Sequence, residues 1–288
     1  MRLASAAGRL CLQEGSELGD VATASGGRFD AAPQAVYARW DEFRAWAATR
    51  PPAGPPIDPP PQAGAPAPRP GQSIGIGLNY ADHASEAGLE VPAEPVVFPK
   101  FSSCIADPHT PLMLPGKCID WEVELVAVIG RTARNVAERD AWDYVAGLTI
   151  GQDISDRALQ FAGPAPQQFG LSKSLPGFGP IGPWLVTPDE LANPDDLEIS
   201  CLLNGELTQR SRTKHLIFDV RELIAYLSAH LVLDPGDVIF TGTPAGVGFS
   251  RDPAIYLRPG DELTSRIEGL GELVTHVGPG QEEAGHAR

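Results

Sequence analysis

The sequence predicts an α+β fold in which short strands dominate. Glycine and proline are abundant, 31 and 29 of 288 residues, so turns must be frequent. Charged residues make up only 20%, which with so many turns argues against a helical bundle. Most apolar stretches are short and either alternate or run unbroken for a few residues, as strands do.

The elements follow in order. "RLASAAGRLCLQEGSELGDVA" has apolar pieces split by glycine, a small β meander. Val36, Trp40, Phe43 and Trp46 fall at helical spacing and predict a helix from Pro33 to Ala48. Residues 51–70 are rich in Pro and Ala with almost no charge. They read as an extended connector with no fixed core, and so as a boundary. It divides a small N-terminal domain (1–50) from the main domain (71–278), with 279–288 expected to fray. In the main domain "SIGIGLNY" reads as a strand, "ADHASEAG" as a short helix or loop, and "PVVFPKFSSCI" as a strand interrupted at Pro99. "AERDAWDYVAG" predicts a helix, and "LTIGQDIS" and "IGPWLVT" predict strands. "FAGPAPQQFG" is a loop. "DLEISCLLNGELTQRSRT" is a hairpin turning at Asn204-Gly205. "DVRELIAYLSAHLVL" is an amphipathic helix through Leu223, Ile224, Leu227 and Leu231. Two "PGD" turns introduce the last strands.

The net charge is −15, with 22 basic against 37 acidic residues. That argues against nucleic acid or an anionic membrane as partner. Cys11, Cys104, Cys118 and Cys201 form no C-x-x-C pair and fit no zinc spacing, so reduced thiols are expected. The first fifteen residues do not read as a signal peptide, and no apolar run is long enough to span a bilayer. A cytoplasmic protein is the expectation.

The chemistry centres on "CIDWEVELVAVIG". As a strand, it points Asp120, Glu122 and Glu124 to one side. Like charges so placed repel, so that face is either in water or neutralised by a cation. Carboxylates at i and i+2 suit a hard divalent ion. Asp153 follows an apolar strand and precedes a polar turn, with Arg157 nearby to orient an acid. His83 and Glu86 sit at i and i+3, where side chains on a helical turn meet. An acid beside a His is the usual build of a general base, although a solvated pair would look the same. Lys100 and Lys173 lie in apolar, Gly- and Pro-rich surroundings, able to meet an anion. "TGTPAGVG", Thr241 to Gly248, offers two hydroxyls and glycine-exposed backbone N–H groups, but it is neither a Walker loop nor a dinucleotide fingerprint.

The order of seven segments resembles the fumarylacetoacetate hydrolase family: "GLNYADHASEAG", "EPVVFPKFSS", "LPGKCIDWEVELVAVIG", "GLTIGQDISDR", "SKSLPGFGPIGPWLVT", "LNGELTQRSRT" and "LDPGDVIFTGTPAGVG". The resemblance covers about Gly71 to Val277. It implies a mixed β-roll catalytic domain beside a small N-terminal α/β domain, commonly a homodimer. It implies Mg²⁺ or Mn²⁺, with Ca²⁺ as a stand-in in crystals, held by Glu122, Glu124 and Asp153. His83 and Glu86 would form a catalytic dyad on a mobile lid. Lys173 would line the site, and Thr243 would hold the substrate carboxylate. Gly242, Arg157, Lys100 and Gln160 complete the expected substrate contacts. One departure stands out: the residue before the metal-binding Asp is commonly Asn in the family and is Gln152 here.

The implied reaction is hydrolysis of a C–C bond in a 1,3-diketone or acylpyruvate through a pyruvate enolate. The same site serves oxaloacetate decarboxylation, tautomerisation, hydration and isomerisation in relatives. A reading of another class is a catalytically silent metal- or acid-binding module, against which the intact acids, dyad and lysine speak.

Overall fold

The computed structural model describes the chain except for residues 61, 87, 89, 164–166 and 280–288. The tail expected to fray therefore lies, but for Pro279, outside the described residues.

The fold is built around the strand Val123–Ile129, in which every residue is buried. Alternate side chains go to opposite faces. Val123, Leu125, Ala127 and Ile129 enter one core; Val126 and Val128 enter another. By parity Glu124 belongs to the second face, at the end where the strand begins.

The large mixed sheet runs, in hydrogen-bonded order, Glu17–Asp20, Arg9–Glu14, Arg2–Ala6, Gly179–Val186, Val145–Gln152, Val123–Ile129, Val238–Phe240, Ser73–Gly77 and Val96–Lys100. Along this path only Val238–Phe240 and Ser73–Gly77 run parallel. A second, antiparallel sheet orders Glu206–Arg212, Glu198–Leu203, Glu262–Ile267 and Gly271–His276. Its Ile199, Cys201, Leu263 and Leu273 fill the first core, which lies between the sheets. The second core packs the large sheet against Val36, Tyr37, Trp40 and Phe43.

The first fifty residues are thus joined to the rest by backbone pairing. Arg2–Ala6 is hydrogen-bonded to Gly179–Val186, from the far half of the chain. The Pro- and Ala-rich segment expected to lack packing also differs from its reading. Ala63, Ala65 and Ala67 are buried, Ala63–Gly64 pairs with Arg2–Ala6, and Tyr37 Oη donates to the Pro66 carbonyl at 2.9 Å. Alanine gives up no side-chain entropy on burial, so such a stretch packs at little cost.

Three smaller differences have local causes. The expected helix over 33–48 is a 3₁₀ turn, Pro33–Arg39, continued by an α-helix, Trp40–Ala47. "AERDAWDYVAG" forms a 3₁₀ turn at Glu138–Tyr144 and then enters the strand Val145–Gln152. Val145 favours extension there, and Gly147 is a poor helix former. Pro99 does not interrupt Val96–Lys100, because that strand is the sheet edge and has no second neighbour to miss an N–H. The hairpin at Asn204-Gly205 forms as expected, with φ of +52° and +82°, the signature of a type I′ turn.

The amphipathic helix forms at Val220–His230 and carries a capping box, Asp219 with Glu222. Asp219→Ala should cost about 1 kcal/mol by chemical denaturation; an unchanged midpoint would show that the cap is dispensable. Among the described residues, no helix is long and apolar enough to cross a membrane.

Candidate active site

Three neighbouring strands deliver the site. Gly151 pairs with Glu124 and Gln152 with Val123, so Asp153, just past its strand, arrives beside the acids that open the next. Val238–Phe240 flanks the other side of Val123–Ile129 and runs into the loop Thr241–Gly248. Glu122, Glu124 and Asp153 each bring a carboxylate oxygen to within 4.8 Å of the others, and all three are buried. Of the two readings of the acidic face, solvation is therefore the one that fails.

Cations hold two of these acids. Lys173 Nζ donates to Glu122 Oε2 at 2.6 Å, Asp153 Oδ2 at 2.8 Å and Ser155 Oγ at 2.9 Å. Arg157 Nη2 donates to Glu122 Oε1 at 2.7 Å. Burial alone would raise Glu122, but Lys173 and Arg157 outweigh it and hold the carboxyl below its usual range. Glu124 goes the other way. Burial raises it, the Asp153 and Glu122 charges raise it further, and its hydrogen-bond donor is the Gly242 N–H at 2.8 Å.

The residues present fit a divalent cation. Four buried carboxylates, counting Asp120, face three buried cations: Lys100, Lys173 and Arg157. One negative charge is left over, and it falls on Glu124. Each carboxylate has about four acceptor positions, so the hydrogen bonds leave room for a metal. A divalent ion would turn the balance to one positive charge, and an anionic substrate would then cancel it.

Glu122, Glu124, Lys173, Arg157, Gln160, Thr243 and His83 line one cavity of about 150 Å³. His83 sits on the helix Ala81–Glu86 and is 7% exposed. Its Nδ1 is 3.5 Å from Glu86 Oε2 and has no hydrogen-bond partner among the described residues. A small side-chain movement closes that gap. Glu86 is itself fixed by the Gly246 N–H, 3.1 Å from each oxygen. Gly246 has φ of +108°, and a Cβ there would meet the Thr208 carbonyl at 2.0 Å, so only glycine brings the N–H this close.

Three expected substrate contacts are used otherwise. Lys100 is fully buried and donates to Asp153 Oδ1 at 2.5 Å and to the carbonyls of Lys173 and Phe178. Its three donors are committed and it is not among the described cavity-lining residues, so in this structure it supports Asp153. Thr243 lines the cavity, but its hydroxyl donates to the Val123 carbonyl and accepts from Gln209 Nε2. No hydroxyl proton is left for a carboxylate. Gly242 gives its N–H to Glu124.

The matching family model is the fumarylacetoacetate hydrolase C-terminal domain, over residues 72–278. The chain belongs to the fumarylacetoacetate hydrolase family. Among curated relatives, the rat mitochondrial oxaloacetate tautomerase Fahd2a is 44% identical over 215 residues, 74% of this chain and 68% of that protein. A solved structure from Mycobacterium smegmatis, provisionally assigned to HpcE, is 51% identical with a TM-score of 0.91, covering 98% of this chain and all of the other. The maleylpyruvate hydrolase of Sphingobium sp. SYK-6, solved with manganese(II) and pyruvate, is 30% identical with a TM-score of 0.76, covering 98% and 100%. The tautomerase and the maleylpyruvate hydrolase are enzymes, and the strand-dominated α/β fold is shared with the solved family members.

Within this family site, two residues went unassigned from sequence. Asp120 stood in the acidic alternation but is no part of the three-acid cluster. It is wholly buried and accepts from Arg157 Nε at 2.8 Å and from the Gly248 and Phe249 N–H groups at 2.7 and 3.1 Å. It thereby pins the Thr241–Gly248 loop to the arginine. Its signal was the alternation itself, three acids where two would serve one ion.

Gln152 is the second. Its Oε1 accepts from the Glu122 N–H at 2.9 Å, while its Nε2 donates to Ser265 Oγ at 2.8 Å in the other sheet. Its length lets it span between the sheets. Gln152→Ala should weaken Mn²⁺ binding about ten- to a hundredfold by calorimetry; unchanged affinity would show that the Glu122 backbone needs no such tether.

Proposed function

We propose that the chain is a divalent-metal-dependent enzyme that forms the enolate of a small 2-oxo acid, with His83 and Glu86 moving the proton. The observation that carries this is shared placement: His83 opens onto the cavity that Glu122, Glu124 and Lys173 also line. Glu122, Glu124 and Asp153 would hold Mg²⁺ or Mn²⁺, which stabilises oxyanion charge as it develops.

The protein's own groups do the rest. Glu86, held by the Gly246 N–H, orients His83 and supports its protonated form. Lys173 adds a fixed positive charge beside Glu122. Arg157 and Gln160, hydrogen-bonded to each other at 2.8 Å, offer remaining donors to the substrate carboxylate. In the hydrolytic reading, His83 takes a proton from water and the hydroxide adds to the distal carbonyl. The C–C bond then breaks, its electrons pass to the pyruvate enolate, and carbon 3 is reprotonated.

A second reading is favoured by the oxaloacetate tautomerase relatives. There the same base removes a proton from carbon 3 and no bond between carbons breaks. Purified protein with Mn²⁺ decides between them: acetylpyruvate loss with pyruvate release marks the hydrolase, and accelerated keto–enol exchange of oxaloacetate marks the tautomerase. Turnover of neither would contradict the enolate reading. A homodimer in a bacterial-type cytoplasm belongs to the same reading, and light scattering measures the dimer directly.

A further inference from the structure

Gln209 lies in Glu206–Arg212, the edge strand of the second sheet, and is 1% exposed. By period two it should share an outer face with Leu207, which is 55% exposed. It does not, because the strand is bulged. Leu202 pairs with Leu207, but Cys201 pairs with Gln209, so Thr208 is the extra residue. A bulge re-aims the side chains around it and is frequent beside active sites. Here it turns Gln209 inward, onto the strand that carries Glu122 and Glu124.

What Gln209 meets there is the backbone between those two acids. Phe240 pairs with Val126, and the Thr241 N–H still donates to the Leu125 carbonyl at 3.0 Å. Continuing that register would set Thr243 opposite Val123. The chain turns instead at Gly242, with φ of +104°, and the Gly242 N–H goes to Glu124. Side chains then stand in for the ladder at the buried Val123. Gln209 Oε1 accepts from the Val123 N–H at 3.1 Å, and the Thr243 hydroxyl donates to the Val123 carbonyl at 2.9 Å. Gln209 Nε2 closes the ring by donating to Thr243 Oγ1 at 2.8 Å and to the Pro244 carbonyl at 2.7 Å. Both N–H donors and the carbonyl of the amide are thus in use.

Resting on the metal-dependent reading above, we infer that Gln209 is a positioning residue for the metal, fixing the backbone that sets the spacing of Glu122 and Glu124. It is not among the described cavity-lining residues and acts through Val123 and Thr243. Without it, a buried N–H loses its acceptor and the Thr243–Pro244 corner loses its donors, a cost that backbone movement would relieve. Gln152 holds the Glu122 N–H in the same way, so two glutamines fix consecutive residues of this strand.

Calorimetric titration of the metal-free protein with Mn²⁺ tests this. Gln209→Met keeps the volume and removes the polar groups, and its Mn²⁺ affinity should fall about ten- to a hundredfold. Gln209→Asn keeps the amide on a side chain one carbon shorter, so it isolates reach; its affinity should fall about tenfold. Tyr37→Phe removes a buried hydrogen bond outside the site, to the Pro66 carbonyl, and should lower the melting temperature while keeping wild-type Mn²⁺ affinity. Unchanged affinity in either Gln209 variant would overturn the assignment. So would an equal loss in Tyr37→Phe, because affinity would then follow stability alone. Wild-type protein that binds no Mn²⁺ would instead sink the metal-dependent reading itself, and this inference with it.

Discussion

Glu124→Gln should abolish Mn²⁺ binding while raising the melting temperature of the metal-free protein. Both effects follow from one placement. Glu124 is 1% exposed, its neighbours Glu122 and Asp153 are like-charged, and the Gly242 N–H is its donor. Without metal, Glu124 must either hold a buried charge that the protein does not balance or take up a proton to avoid it, and either costs stability. Glutamine keeps the acceptor for Gly242 and nearly the same volume, so little else changes. With metal the sign reverses. An ion present at about a hundred times its Kd stabilises the native state by about 2.7 kcal/mol, which in a chain of this size lifts the melting temperature by roughly 5–10 °C. Wild-type protein should show that lift and Glu124→Gln should not. A variant that keeps a full Mn²⁺ shift would remove Glu124 from the ligand set.

His83→Ala should leave Mn²⁺ affinity nearly unchanged and lower kcat by about 10²–10⁴, the usual contribution of a positioned acid–base group. Among the described residues His83 makes no hydrogen bond to Glu122, Glu124 or Asp153, whose partners lie elsewhere, so metal binding has no need of it. Its partner Glu86 stays anchored through the Gly246 N–H. Glu86 also lies below the usual carboxylate range although burial opposes this, because His83 and Gly246 outweigh the burial. It is thus charged and ready to orient the imidazole. His83→Gln, closer in volume, controls for loss of packing and should be as slow. Wild-type turnover in either variant would take the pair out of the mechanism.

The clustering of the acids was readable from sequence because their pattern is local. Glu122 and Glu124 sit at i and i+2, and period two puts them on one side whatever surrounds the strand. His83 and Glu86 were readable for the same reason at helical spacing. Burial was not readable, and it is what separates a solvated acidic edge from a metal centre. Nor was the assignment of Lys100: its partner Asp153 is 53 residues away, and only the folded sheet brings the two together. Asp120 shows the same limit, since its partners at Gly248 and Phe249 come from the far end of the chain. The Pro- and Ala-rich segment misled through composition. Low charge and many prolines describe a loose connector and an alanine-packed sheet edge equally well, and the pairing of Arg2–Ala6 with Gly179–Val186 leaves no mark in either stretch.

The central claim is that one divalent ion is held where the two antiparallel strands bring Glu122, Glu124 and Asp153 together. Anomalous diffraction from Mn²⁺-soaked crystals tests it most directly. A single strong peak per chain in contact with all three carboxylates is the predicted result. A soaked crystal with no peak there, or with manganese bound only elsewhere, would contradict the account.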